Sequence, residues 1–389
     1  MHRTRALPLL MLCLTTSLAA QARPVKAGFI VHLGNDTVAV ERYTRSGSQL
    51  EGDVAVRVPR TRLFHYRASL APDGTVARLE TTMRLAGAPA GTPPAQGGVA
   101  TFTRDSAILE MRAGDSVRPT VRLATHPGAL PIINFSFALY EQGTMQLFRS
   151  HADSSLMDVV FFGAPRVFPI AFSKHGADSV YIDYFGHPFS ARVDGKGTIL
   201  GLDGAQTTQK WIVQRVSDVD VEGFAANSGA TEAAGHGIGM LSPRDTARAE
   251  IGGAKVMVDY GRPARRGRAI FGGIVPWGEV WRTGANAATQ LITDHALTIG
   301  GTAVPAGTYS LWTVPTQNGA TLIINSQHGQ WGTEYDGSKD FVKIPLTSVH
   351  AAEPVDRFTI TLAPSGNGGT LLMAWDTLQL SAPIAAAAP

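Results

Sequence analysis

The chain has 389 residues, with 34 lysines and arginines against 31 aspartates and glutamates, and one cysteine, Cys13. Loss of a leader carrying Arg3 and Arg5 leaves a formal charge of +1, too little electrostatic drive for nucleic acid or an anionic membrane surface, so neither partner is expected. With no cysteine beyond residue 13, the exported chain has no disulfide, thiolate nucleophile or cysteine-ligated metal to draw on.

His2, Arg3 and Arg5 precede an apolar stretch from Ala6 to Ala20, and Ala20-Gln21-Ala22 places small residues at the usual cleavage spacing. Residues 1–22 read as a signal peptide, and the protein as exported to the periplasm or beyond. The stretch lacks the length and flanks of a membrane anchor, so no membrane insertion is expected. Leu12 stands before Cys13 where lipid attachment wants glycine or alanine, which leaves lipidation a minor alternative.

The 367 residues that remain suggest two hydrophobic cores. The expected fold is all-β: a curved or partly closed antiparallel sheet over 27–224, an Ala/Gly-rich linker over 225–239, and a β-sandwich-like domain over 240–386. In the first unit, strand-period alternation runs through Thr37–Tyr43, Asp53–Val58, Leu63–Leu70, Val76–Leu85, Ala107–Met111, Val117–Leu123, Ser179–Phe185 and Trp211–Val216. Pro72-Asp73-Gly74 and Asp194-Gly195-Lys196-Gly197 supply tight reversals. Phe135, Phe137, Tyr140, Phe161, Phe162, Phe168 and Phe172 are read first as core and second as the wall of a cavity for a lipid-like molecule. The segment Phe224–Gly253 has too few large apolar side chains to anchor itself, which is why the linker is placed there.

The second unit repeats the strand pattern at Lys255–Tyr260, Thr289–Leu297, Gly307–Val314, Thr321–Asn325, Phe358–Leu362 and Leu371–Leu380. Its densest chemistry lies between residues 258 and 289. Arg282 brings a fork of donors and Asn286 a donor and an acceptor, with Gly284 letting the backbone approach a neighbour. The set suits a carboxylate, phosphate or sugar hydroxyl. It equally suits a structural role in which Arg282 caps loop carbonyls and pairs with Asp259 or Glu279. Arg262 and Arg268, held by constrained neighbours, rank next, while Arg265 and Arg266 read as solvated. Trp281, Trp331 and Tyr335 offer flat surfaces for a sugar ring, and Trp375 reads as core.

Established catalytic and cofactor patterns are absent from the sequence. There is no HExxH, His32, His65, His295, His328 and His350 lack ligand spacing, and Glu334, Asp336 and Asp340 read as a solvated turn rather than a calcium loop. Gly235–Gly239 lacks the βαβ setting of a phosphate-cradling fragment. No GxSxG occurs, and Asp178 and Asp183 have opposite strand parity. No cofactor and no metal is expected, and no catalytic residue is assigned.

Seven ordered motifs resemble the bacterial family named domain of unknown function 2911, over about residues 240–384. They are LSP at Leu241–Pro243, DYGRP at Asp259–Pro263, GRAIFGGIVPWGEVWRTGANAAT at Gly267–Thr289, VPAGTYSLWTVP at Val304–Pro315, QWGTEYD at Gln330–Asp336, EPVDRFTI at Glu353–Ile360 and AWDTLQLSAPI at Ala374–Ile384. The chain departs from that pattern at Ala287, where an acidic residue is usual, and over Asp340–Ile344. The resemblance implies fold and envelope localisation, not a reaction. The first unit, chiefly residues 35–85, looks like an accessory β domain of secreted bacterial proteins and is not assigned to a family. The expectation is therefore a noncatalytic binding or structural protein taking a small polar or carbohydrate ligand, with an envelope hydrolase acting on a glycan or ester as the alternative. Its oligomeric state is not legible.

Overall fold

The computed structural model describes residues 23–387 apart from 90, 163, 165 and 185; the expected leader and Cys13 lie outside the described residues. Among the described residues, sixteen strands form one sheet and nine form another. No described helix is long and apolar enough to cross a membrane.

The first sheet starts at the edge strand Leu130–Ile132 and runs through Ser154–Phe161, Val167–Lys174, Ser179–Tyr184, His187–Val193, Ile199–Asp203 and Ile212–Val216. It continues with Val25–Leu33, Asp36–Ser46, Gln49–Val56, Arg62–Leu70, Val76–Leu85 and Gln96–Phe102, and ends at Ser106–Ala113 with the short strands Ser116–Val117 and Val121–Ala124. The expectation of a curved or partly closed sheet is corrected here. The path has two edges with no pairing between them, so the sheet is open and not strongly curled. Nor is it wholly antiparallel, because Leu130–Ile132 pairs parallel with Ser154–Phe161.

Two helices also qualify the all-β reading: α1, Phe137–Arg149, and α2, Val221–Ala233. They explain why strand Asp36–Ser46 is buried continuously from Val38 to Glu41 instead of alternating. Glu41 and Tyr43 meet α1, while on the other parity Val40 packs with Val221 and Ala225 of α2 and Arg42 pairs with Glu222. Helix α1 has no side-chain cap of its own at Ser136. Instead Glu41 Oε2 accepts the Phe137 and Ala138 N–H groups at 2.6 and 3.1 Å, and Oε1 accepts the Tyr66 and Ser136 hydroxyls at 2.7 and 2.8 Å. Gly143 in mid-helix allows close docking, since a Cβ there would come within 2.7 Å of Leu130 and Phe172.

Burial raises the Glu41 carboxyl from its ordinary 4.5 to about 7, against the pull of those four donors. A carboxyl raised on folding stabilises the fold below its unfolded value and loses that contribution as pH climbs through 7. Glu41→Gln keeps the shape, and its amide fits because both hydroxyls can turn to accept. Thermal melts at pH 5 and pH 8 should show the variant gaining about 3 kcal/mol on the wild type between the two. A constant difference would mean that Glu41 is ionised throughout.

The Ala/Gly-rich segment is more anchored than expected. Helix α2 occupies its first part, and Ile238 and Leu241 pack on the first core before the chain enters the second sheet. That sheet runs Arg244–Ile251, Ala254–Gly261, Thr289–Thr293, Gly307–Thr316, Gly319–Asn325, Asp340–Ser365, Gly368–Ala386, Leu297–Ile299 and Thr302–Val304. It is one continuous antiparallel path. The long strand Asp340–Ser365 pairs with Gly319–Asn325 through residues 340–346 and with Gly368–Ala386 from 347 onward. Each sheet has its own large cluster of buried side chains, around Phe29, Tyr43 and Leu130 in the first and Leu291, Leu311 and Phe358 in the second.

The loop at residues 262–268 touches the turn between Val25–Leu33 and Asp36–Ser46. The Asn35 N–H donates to the Arg266 carbonyl at 3.0 Å, and the Arg266 guanidinium pairs with Asp36. A Cβ on Gly34 would overlap the Arg266 carbonyl and one on Gly267 the Asn35 amide. Both glycines have left-handed φ, so this contact depends on them twice over.

Candidate functional site

A cleft of about 390 Å³ opens beside that contact, with walls from both sheets. The first unit contributes His187, Gln206–Trp211 and Leu33; the second contributes Arg266, Arg268, Trp281, Arg282, Asn286 and Trp331 among others. Among the described residues four cations line it, Lys210, Arg266, Arg268 and Arg282, and no aspartate or glutamate does.

The loop bearing Arg282 is held from several sides. Trp281 and Thr313 exchange backbone hydrogen bonds at 2.8 and 2.9 Å, the Thr283 and Thr313 hydroxyls meet at 2.7 Å, and the Thr289 hydroxyl donates to the Thr283 carbonyl at 2.6 Å. Thr283 is buried at φ 52°, a costly conformation for a β-branched residue, and Asn286 sits at φ 64°. Gly332 N–H donates to the Asn286 carbonyl at 2.9 Å. A Cβ on Gly332 would overlap both that carbonyl and Arg282 Cδ. Gly332→Ala should therefore displace the Arg282 stem and cost about 1–3 kcal/mol, read as a fall in the thermal midpoint.

Arg282 is half-buried and makes no hydrogen bond or ion pair among the described residues. Of its two expected partners, Asp259 instead holds Arg244, and Glu279 makes no ion pair among the described residues. Burial alone lowers the Arg282 pKa below the usual arginine range. Arg268 lies nearby with its guanidinium on the Arg265 and Ala264 carbonyls at 3.0 and 2.7 Å; burial, then Arg266, pushes it down to about 10. Lys210 is lowered by burial first, then by Arg282 and Arg268, and donates to the Ala205 carbonyl at 2.6 Å. Positive charge is thus concentrated on this wall, with Asp36 and Asp356 opposing the lowering only at Arg268.

The other sequence candidates divide. Trp281 lines the cleft with one face of an aromatic group in which Trp375 stacks on it at 5.8 Å and Phe358 approaches at 5.0 Å. Trp331, 49% exposed, and Asn286, whose amide donates to the Ser242 carbonyl at 3.3 Å, also line it. Arg262 and Tyr335 do not. Arg262 is taken up by Asp245 and Thr359, and Tyr335 donates to Asp340, with burial and that carboxylate raising its hydroxyl's pKa. Arg265 and Arg266 are corrected from solvated to fixed: Arg265 pairs with Asp376 at 3.2 Å, and the Arg266 side chain is only 8% exposed. Trp375 is buried as expected yet also reaches the cleft.

Residues 242–384 match the family described as protein of unknown function DUF2911. This part of the chain is a DUF2911 domain. No curated protein matches the chain. Among solved structures, a DUF1089 family protein from Pseudomonas aeruginosa is similar at 14% identity and a TM-score of 0.33, over 44% of this chain and 92% of that one. The DUF2911 domain supplies Arg268, Trp281, Arg282, Asn286 and Trp331 to the cleft, and the region before it supplies Lys210 and Trp211. Those last two were missed in the sequence. The signal was a lysine beside a tryptophan at the end of a polar run, Gln206–Lys210, and nothing local shows that it faces Arg282.

Proposed function

We propose that this is an exported, noncatalytic binding protein whose cleft takes a small polar ligand with a negative charge, such as a phosphate, a carboxylate or an acidic sugar. One observation carries the reading: Arg282 is half-buried with no acceptor, beside Lys210 and Arg268, in a cleft with no carboxylate on its wall. Unpaired buried cations cost free energy and are retained where a ligand completes them. Trp281 and Trp331 add flat apolar faces on which a sugar ring can lie. Export is supported by the leader-like pattern ahead of Arg23.

Calorimetry of the mature protein with inorganic phosphate, glucuronate and glucose tests this. Both anions should bind at least tenfold more tightly than glucose, and added salt should weaken them. Absence of binding by either anion at millimolar concentration, or equal binding of glucose, would overturn the reading.

A further inference from the structure

We infer that the ligand is an anionic amphiphile, with its charged end on Lys210, Arg268 and Arg282 and its apolar part in a second cavity within the first sheet; this rests on the anion-binding reading of the cleft. The second cavity measures about 550 Å³ and is lined by Phe135, Phe137, Tyr140, Phe161, Phe162 and Phe168. The core reading holds for Phe135, Phe137 and Phe172, which are buried, with Tyr140, Phe161 and Phe162 packed against that core; all of the seven but Phe172 also line this space. A partly open space of this size walled by aromatic rings has the dimensions and lining of a pocket for an apolar group.

Gln209 and Trp211 line both the cavity and the cationic cleft, so the two spaces meet at a common wall. At that wall the Trp211 indole N–H is buried with no acceptor among the described residues, an uncompensated polar cost at the boundary of the two spaces. The ring of Phe135 lies 4.5 Å from Trp211, and its backbone is held at φ 67°, a strained conformation for a bulky residue. Away from the cleft, Phe64, Gln96, Ile133 and Phe162 also line a smaller pocket of about 170 Å³, so the apolar space is elongated. Among the described residues Arg62 is the only cation on the cavity wall; it donates to the Val58 carbonyl at 2.7 Å and lies over the Phe64 ring, while its Nε is buried without a partner and burial lowers its pKa. Arg112 and Arg118 line the smaller pocket and Lys210, Arg266, Arg268 and Arg282 the cleft, so the cleft end holds the greater positive charge.

The test compares inorganic phosphate with butyl, hexyl and octyl phosphate, and octyl phosphate with octanol, by calorimetry and tryptophan fluorescence of the mature protein. Affinity should rise about fourfold per added methylene. Octanol should bind at least tenfold more weakly than octyl phosphate. Ala164→Trp, at an exposed position on the cavity wall, should remove most of the chain-length gain and leave inorganic phosphate unchanged. Phosphate binding without a chain-length gain overturns this inference and spares the cleft reading. Octanol binding as well as octyl phosphate overturns the anionic end. If neither phosphate nor any alkyl phosphate binds, both readings fall.

Discussion

Arg282→Met should raise the thermal midpoint while weakening anion binding. Methionine keeps the length and apolar stem that pass Gly332, and deletes a cation that burial already holds below its ordinary pKa and that no acceptor meets. Relieving such a charge is expected to stabilise by about 1 kcal/mol, a few degrees in a unit of this size. Lys210 gains too, since Arg282 is one of the charges that depress it. Phosphate affinity should fall ten- to a hundredfold, the loss that goes with one charge-assisted hydrogen bond of about 1.5–3 kcal/mol. A structural arginine gives the opposite sign: if Arg282 capped carbonyls or closed an ion pair, methionine would lower the midpoint. Differential scanning calorimetry beside a phosphate titration separates the two, and a destabilised variant with intact affinity would sink the ligand role.

Much of the scaffold could be read from residue order. The strand runs around Val76–Leu85 and Phe358–Leu362 follow from period-two alternation, because one side of each ladder is the more buried, whereas Gly307–Val314 is buried on both faces from Tyr309 to Thr313. Helix α1 escaped for a physical reason. Its residues FALYEQGTMQLFR carry Gly143 and apolar groups on several sides, and its start is capped not by a neighbour in sequence but by Glu41, about a hundred residues earlier. Openness of the first sheet also lies beyond local pattern, since alternation fixes faces and not whether two edges meet. In the cleft, Arg282, Trp281 and Asn286 stood out because they share one short loop. Lys210 did not, because its place beside Arg282 is set by the Arg266–Asp36 and Asn35–Arg266 contacts between the two units. The aromatic cavity was visible only as a composition; whether phenylalanines fill space or surround it depends on packing, which residue type does not encode.

Glu141→Ala should be the most damaging single substitution in the first unit, at about 3–5 kcal/mol. The Glu141 side chain is fully buried, and its carboxylate accepts from Tyr43 at 2.9 Å, Arg45 at 3.1 Å, Arg215 at 2.7 Å and the Ile199 N–H at 2.9 Å. Arg45 and Arg215 are each only 16% exposed, so alanine strands two cations and a backbone donor with little water to take over. The thermal midpoint should drop by roughly 10 °C or more in a unit of this size. In a double-mutant cycle, Glu141→Ala with Arg215→Met should cost less than the two changes summed, because the second removes a charge that the first leaves unpaired. Additive losses would mean that the arginine acts through its contacts with Phe29 and Tyr43 instead. The network ties α1 to strands Asp36–Ser46 and Ile212–Val216, and α1 carries Phe137 and Tyr140 to the cavity. Loosening the helix should therefore weaken octyl phosphate more than inorganic phosphate, since the cationic cleft takes none of its wall from α1.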